Sequence, residues 1–144
     1  MIRDTGRLAL DTNALIYYLD QREPYRTWLR PIFLDMERGL SEFVLSVIVY
    51  AEMRVKPLRE RDERVLEMIE ALVDTESIRL IPVSLEVSRR ASEIRASLDL
   101  ELPDAIIVAT AIISGCDALI GNDKRCASRV TEIRYIYLDE AVKA

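Results

Sequence analysis

Near its start the chain carries the sequence Leu8-Ala9-Leu10-Asp11-Thr12-Asn13-Ala14-Leu15-Ile16-Tyr17-Tyr18-Leu19. The first three residues form a short apolar run, which is typical of a buried strand. Asp11, Thr12 and Asn13 then supply side-chain oxygens of the kind that cap a helix, and the apolar residues behind them suit a short helix. The segment therefore predicts a strand, an acidic turn and a helix in direct succession.

The same alternation continues along the chain. Further strands are predicted over 43–45, 78–83, 118–120 and 133–138, the last as an edge strand because its polarity is mixed. Helices are predicted over about 25–39 with a break near Pro31, from Ser46 to about Val55, from Pro57 to about 73, from Ser84 to about 98, and from Pro103 to Gly115. Alternating strands and helices predict an α/β fold whose mainly parallel sheet is covered by helices on both faces.

Length and composition set the broad class. The chain has 144 residues, 50% hydrophobic and 31% charged, with no repeat or linker, so a single domain over residues 1–144 is expected. The longest apolar stretches are too short to span a membrane. The opening residues Met1 to Asp4 lack the apolar core of a signal peptide, and two cysteines do not make a disulfide framework. A cytoplasmic protein is the expectation.

The absence of histidine excludes several chemistries. With no His in the chain there is no Ser-His-Asp triad, no Cys-His pair and no His-ligated zinc. Acid–base or metal chemistry must rest on carboxylates, Lys, Tyr or hydroxyls, and carboxylates suit hard cations such as Mg²⁺ or Mn²⁺. The net charge of −5 argues mildly against non-specific binding of nucleic acid.

Three acids stand just past a predicted strand end or at a predicted helix start, at one edge of the sheet: Asp11, Asp104 and Asp123. A fourth acid, Glu52, lies about two turns into the helix after the second strand and can reach the same edge, because that helix begins there. Each has a simpler alternative role. Asp11 could be only an N-cap, and Glu52 could be a surface partner of Lys56. Asp104 could complement a helix dipole, and Asp123 could be a turn residue. Together they would repel one another unless protonated or bound to a divalent cation, so the cluster predicts a metal site. The chain's only two asparagines, Asn13 and Asn122, each lie within two positions of one of these acids.

Four segments carry a family resemblance: Leu10-Asp11-Thr12-Asn13, Ser46-Val47-Ile48-Val49-Tyr50-Ala51-Glu52, Leu102-Pro103-Asp104-Ala105-Ile106-Ile107-Val108-Ala109 and Gly121-Asn122-Asp123. In this order and context they resemble the PIN domain, and more closely the VapC-type toxin ribonucleases. The resemblance covers nearly the whole chain.

The resemblance implies a three-layer α/β/α fold around a parallel, usually five-stranded sheet. It implies endonucleolytic cleavage of RNA that depends on one or two Mg²⁺ or Mn²⁺ ions and leaves 5′-phosphate and 3′-hydroxyl ends. Asp11, Glu52, Asp104 and Asp123 match the catalytic, metal-binding positions; the supporting polar residues are Thr12, Asn13, Ser46 and Asn122. Such toxins form homodimers and are held inactive by a cognate VapB-like antitoxin.

Two positions depart from the family pattern. Gly121 stands where relatives commonly have Thr or Ser, so a supporting hydroxyl is missing, and Arg125 stands where many have a further acid. Both departures put a complete second metal site in doubt, which makes Asp123 the least certain ligand.

Positive charge near the acids bears on RNA. Lys124 and Arg125 adjoin Asp123, and Arg54 and Lys56 follow Glu52 in a mixed-charge segment that is equally typical of a solvated helix. We therefore take Lys124, Arg125, Arg54 and Lys56 as candidate RNA contacts.

Two other functions remain open from the sequence. A non-catalytic PIN-like scaffold that binds RNA or protein is kept open by Gly121 and Arg125. An aspartate-dependent phosphatase would use Asp11 as nucleophile, but that class needs a second Asp at position 13, where this chain has Asn13.

Overall fold

The computed structural model describes residues 6–144, so the residues on which the signal-peptide expectation rested lie outside the described part. It shows one five-stranded sheet, parallel throughout, in the order β3-β2-β1-β4-β5. The strands are β1 (Arg7–Leu10), β2 (Glu42–Ser46), β3 (Ile78–Ile81), β4 (Ala118–Gly121) and β5 (Arg134–Tyr137). The predicted α/β fold and the edge position of the last strand are confirmed.

Helices connect the strands. They are α1 (Thr12–Leu19), α2 (Tyr25–Glu37), α3 (Val47–Arg59), α4 (Glu63–Val73), α5 (Leu85–Leu98), α6 (Leu102–Ile113), α7 (Lys124–Arg129) and α8 (Leu138–Ala141). The central strands are apolar along their length because both faces of the sheet are covered; Leu10, Leu45 and Ile120 are fully buried. No helix within residues 6–144 combines the length and apolarity needed to cross a bilayer.

The predicted effects of two prolines are wrong. Helix α2 runs through Pro31 without a break, and α3 runs through Pro57 to Arg59. Packing outweighs the lost hydrogen bond in each case, since Ile32 and Phe33 are buried beside the first proline and Pro57 is itself buried. The next helix begins at Glu63, where Asp62 caps it, and not at Pro57.

The strand order creates a switch point between β1 and β4. The chain leaves β1 toward β2 on one side, while β4 and β5 lie on the other. Leu10 pairs with Ile120, so both strands end at the same level of the sheet. Ligands of open α/β sheets bind in the crevice beyond such a point, and the predicted acids lie there.

Candidate metal centre

Asp11 lies directly beyond β1 and is the N-cap of α1. Its Oδ1 accepts the backbone N–H of Ala14 at 2.9 Å, and its Oδ2 accepts the backbone N–H of Asn122 at 3.1 Å. The Asp11 N–H donates to the carbonyl of Ile120 at 2.9 Å. These bonds fix the carboxylate between β1 and β4. Each oxygen keeps lone-pair capacity that no hydrogen bond within residues 6–144 uses.

Glu52 reaches the same edge from α3. The hydroxyl of Thr12, the first residue of α1, donates to Glu52 Oε1 at 2.5 Å. This bond ties α3 to α1 beside Asp11. The alternative role for Glu52, a surface ion pair with Lys56, is not found in the described part of the chain.

Asp104 and Asp123 complete the cluster. Asp104 stands in the first turn of α6 and is partly buried. Asp123 caps α7, and its Oδ1 accepts the backbone N–H of Cys126 at 2.8 Å. A carboxylate oxygen of each acid and the Cys126 sulfur all lie within 4.8 Å of one another.

The acids interact electrostatically. Burial raises the pKa of Asp11 to about 7, although its two backbone hydrogen bonds lower it, and the charges of Asp104 and Asp123 add to the rise. Burial also raises the pKa of Asp104 to about 6, reinforced by Asp123 and Glu52 and opposed by Arg125. The charges of Asp104 and Asp123 thus act on Asp11, and those of Asp123 and Glu52 act on Asp104.

This donor set fits a hard divalent cation. None of the four acids forms an ion pair with a basic side chain of residues 6–144. Burial is the main cause of the raised pKa values of Asp11 and Asp104, and neighbouring acids add to it, so both carboxylates are costly to ionise without a bound cation. Oxygen ligands that lack internal counter-charge are the kind that Mg²⁺ and Mn²⁺ take.

Asn122 holds the turn behind Asp11. Its side-chain Nδ2 donates to the Tyr17 hydroxyl at 3.1 Å, and its Oδ1 accepts the backbone N–H of Asp139 at 2.9 Å. Both ends of the amide are thus engaged by α1 and α8. Asn122 supports the centre through its backbone N–H, which binds Asp11.

The other predicted supporting residues occupy distinct places. Thr12 contacts Glu52 as described. Ser46 is buried as the N-cap of α3, where its Oγ accepts the backbone N–H of Ile48 at 3.2 Å. Asn13 is exposed in the first turn of α1.

The sequence did not single out Tyr135 or Cys126 as neighbours of the acids. The Tyr135 hydroxyl accepts the backbone N–H of Asp123 at 3.0 Å, so a hydroxyl does lie beside Gly121. Burial raises the pKa of the Cys126 thiol above its usual range, so the thiol stays protonated and is a poor ligand for a hard cation. Tyr135 lies between Arg134 and Ile136 on β5, and nothing in that local sequence indicated contact with the site.

A cleft of about 600 Å³ opens beside the acids. Its lining residues are Glu101, Asp104, Asp123, Lys124, Arg125, Ser128 and Arg129. Lys124 and Arg125 are exposed at the start of α7. Arg129 instead donates to the carbonyls of Leu98 and Asp99, at 3.1 and 2.9 Å, and caps α5.

The two candidate RNA contacts on α3 differ in placement. Lys56 is exposed. Arg54 is partly buried; its guanidinium lies 5.5 Å from the Tyr50 ring centroid and donates to the Tyr50 hydroxyl at 3.3 Å. Arg54 is therefore held against α3 itself, while Lys56 is accessible.

Comparison with known families agrees with this arrangement. The PIN domain pattern matches residues 8–133, which include all four acids. The chain belongs to the PIN domain family. The resemblance inferred from the sequence motifs is thereby confirmed. No curated protein sequence is similar enough to this PIN domain to count as a relative.

Several solved structures similar to this PIN domain come from toxin–antitoxin systems. A toxin–antitoxin complex from Klebsiella pneumoniae shares 26% identity at a TM-score of 0.65, over 88% of this chain and 98% of the other. VapBC2 from Rickettsia felis, bound to a DNA fragment from its promoter, shares 18% identity at a TM-score of 0.71. That match covers 91% of this chain and 98% of the other. VapC20 from Mycobacterium tuberculosis, a toxin that cleaves the sarcin–ricin loop, shares 16% identity at a TM-score of 0.69. That match covers 88% of this chain and 98% of the other.

Proposed function

We propose that this PIN domain is a metal-dependent endoribonuclease, the toxin of a VapBC-type toxin–antitoxin pair. The observation that carries the proposal is the convergence of Asp11, Glu52, Asp104 and Asp123 at the β1/β4 switch point, with no basic side chain of residues 6–144 paired to them. Family membership and the similarity to VapBC structures support it.

Each acid has a part that follows from its position. Asp11 and Asp104 hold the principal Mg²⁺ or Mn²⁺, since both are partly buried and electrostatically coupled. Glu52, the exposed acid, ligates the ion or accepts the proton of the attacking water, with Thr12 orienting it. Asp123 supports a second ion. When bound, the divalent ion supplies water of lowered pKa and positive charge for the phosphate.

The substrate is RNA whose phosphates lie along the cleft beside α7. Lys124 and Arg125 stand on its wall next to Asp104 and Asp123, so a phosphate held by these cations lies next to the acids. Lys56 offers further positive charge from α3. Hydrolysis at this edge yields 5′-phosphate and 3′-hydroxyl ends.

The proposed partners are a VapB-like antitoxin and a second copy of the chain, in the cytoplasm. The exposed apolar side chains Val55 and Leu58 on α3 offer contact surface for either. Co-expression with the product of the neighbouring gene, followed by light scattering of the purified complex, measures both stoichiometries.

The deciding experiment is cleavage of a mixed RNA pool by the purified, antitoxin-free protein with Mn²⁺ or Mg²⁺. Asp104→Asn and a chelator are each expected to slow cleavage by about two orders of magnitude or more, because both remove the metal. Asp74→Asn is the matched control, since Asp74 is exposed at the end of α4, before β3, away from the site.

Three outcomes separate the candidate functions. Loss of cleavage in Asp104→Asn but not Asp74→Asn supports the nuclease. Equal cleavage by wild type and Asp104→Asn contradicts it. RNA binding without cleavage of any RNA in the pool, under either metal, favours the non-catalytic scaffold.

A further inference from the structure

Gly121, the last residue of β4, leaves a space that two polar groups share. A Cβ added at this position would overlap the Tyr135 hydroxyl oxygen and Asp11 Oδ2, and would lie 2.8 Å from Asp11 Cγ. Gly121 is buried and its backbone does not need positive φ, so the close approach of these two side chains explains the glycine. The phenol and the carboxylate therefore converge on one point.

The register of the sheet explains how Tyr135 reaches this point. Tyr135 on β5 pairs with Leu119 on β4, and Gly121 lies two residues further along β4 on the same face. A long aromatic side chain can extend to such a diagonal neighbour. The ring thus runs along β4 toward the carboxyl end of the sheet, where the acids lie.

The hydroxyl of Tyr135 accepts one hydrogen bond and can still donate another. It accepts the Asp123 N–H at 3.0 Å, while its own O–H remains able to donate. Asp11 Oδ2 lies near the same Cβ position above Gly121 and has spare lone-pair capacity beside its bond from Asn122. A single phenol therefore lies between the turn that carries Asp123 and the carboxylate of Asp11.

We propose that Tyr135 is a positioning residue of the metal centre: its hydroxyl holds the Asp123 turn, faces the Asp11 carboxylate and sets the spacing of these two acids. The proposal rests on the metal centre of the proposed function and adds a residue to it. Gly121 and Tyr135 form a matched pair, in which the absent side chain on β4 makes room for the hydroxyl from β5.

The first test compares Mn²⁺ affinity, measured by calorimetry, in wild type and Tyr135→Phe. The substitution keeps the ring and removes the hydroxyl, and we expect affinity to fall about 10-fold, the scale typical of groups that orient metal ligands. Cleavage should fall at low Mn²⁺ and recover as Mn²⁺ is raised. Tyr18→Phe is the control, because Tyr18 is a partly buried tyrosine stacked on Phe33, at 3.7 Å between ring centroids, outside the site.

The second test uses the matched pair. Gly121→Ser in the wild type places a side chain against both Tyr135 and Asp11, so weak Mn²⁺ binding is expected. In Gly121→Ser/Tyr135→Phe the collision with the phenol oxygen is gone and a hydroxyl returns from position 121. The double variant should therefore regain part of the Mn²⁺ affinity lost in Gly121→Ser, although the added Cβ still meets Asp11. The same loss of the hydroxyl should weaken Mn²⁺ binding in the wild type. A role in packing only would give the gain in Gly121→Ser without the loss in the wild type.

The outcomes distinguish this inference from the proposed function. Unchanged Mn²⁺ affinity in Tyr135→Phe overturns the role of Tyr135, even if the double variant binds better than Gly121→Ser, because relief of the collision alone gives that gain. A wild type that binds Mn²⁺ but cuts no RNA contradicts the nuclease alone and leaves the affinity comparison intact. A wild type that binds no Mn²⁺ overturns both. Melting temperatures of all variants, measured in chelator, show whether each is folded at the temperature of the titration.

Discussion

Asp11 serves the fold and the candidate site with the same carboxylate. It caps α1 through Ala14 and fixes the start of the β4–α7 turn through Asn122, yet its pKa is raised to about 7 because burial outweighs those two bonds. A carboxylate needed only as a cap could stay solvated. Holding it in a buried place costs the fold free energy, which a bound cation would offset.

Gly121→Ala should destabilise the protein by about 1–3 kcal/mol, the usual scale for an extra methyl group forced into a packed place. The added Cβ must displace the Tyr135 hydroxyl or the Asp11 carboxylate. Urea unfolding in chelator measures the effect. Gly6→Ala is the control, because nothing lies within 4 Å of a Cβ there. Equal stability of the two variants would show that the space above Gly121 is not filled.

At the scale of elements, α7 brings its cations to the cleft. Its N-cap, Asp123, is one of the acids, so Lys124 and Arg125 necessarily begin at the site. Lys124→Gln/Arg125→Gln should weaken RNA binding and lower the slope of log affinity against log salt by about 1–2, since two phosphate contacts are lost.

Filter binding in Ca²⁺ over a salt series measures that slope, and the four acids stay intact. Lys56→Gln gives the separate contribution of α3. Arg89→Gln is the control, because Arg89 is exposed on α5 and does not line the cleft. If Lys124→Gln/Arg125→Gln has the same slope as Arg89→Gln, the RNA does not bind along α7.

Helix α2 continues through Pro31 because packing of its buried face stabilises it. Pro31 is exposed, whereas its neighbours Ile32 and Phe33 are buried. Pro31→Ala restores a backbone donor without removing buried surface, and we expect the free energy of unfolding to rise by about 1–2 kcal/mol. Pro103→Ala, at the start of α6 where proline is tolerated, should give no gain. A loss of stability in Pro31→Ala would mean that the ring itself packs.

At the scale of the whole molecule, the acid cluster opposes the fold when no metal is bound. Asp11 and Asp104 have pKa values of about 7 and about 6, above the ordinary value of 3.8, so the folded chain binds more protons than the unfolded chain across pH 5 to 7. The free energy of unfolding therefore falls as pH rises, by up to about 1.4 kcal/mol per pH unit for each extra proton.

We expect the metal-free protein to melt at a lower temperature at pH 8 than at pH 5. The chain has no histidine, so few other groups titrate in this range. Asp11→Asn should flatten the dependence and Asp74→Asn should leave it unchanged. Mn²⁺ should raise the melting temperature more at pH 8, because it binds the deprotonated carboxylates. Stability that is flat or rises with pH in the wild type would refute the raised pKa values.

Most strands and helices could be predicted from the sequence, but features that depend on packing between distant segments could not. The alternation of strands and helices and the caps at Ser46 and Ser84 follow from local sequence pattern, because caps and buried runs depend on neighbours in the chain. The break at Pro31 and the start at Pro57 were wrong because packing from distant segments decided them. The short helices α7 and α8 were not predicted, since six and four residues give little periodicity.

The sequence by itself determined the α/β class, the family and the edge of the sheet where four acids gather, because parallel strands put their carboxyl ends together. Only the tertiary structure decided how those acids are held: the Thr12–Glu52 bond, the engagement of Asn122 by α1 and α8, and Tyr135 above Gly121. These contacts join residues far apart in the chain, and their geometry depends on sheet register and helix packing, which no local pattern encodes.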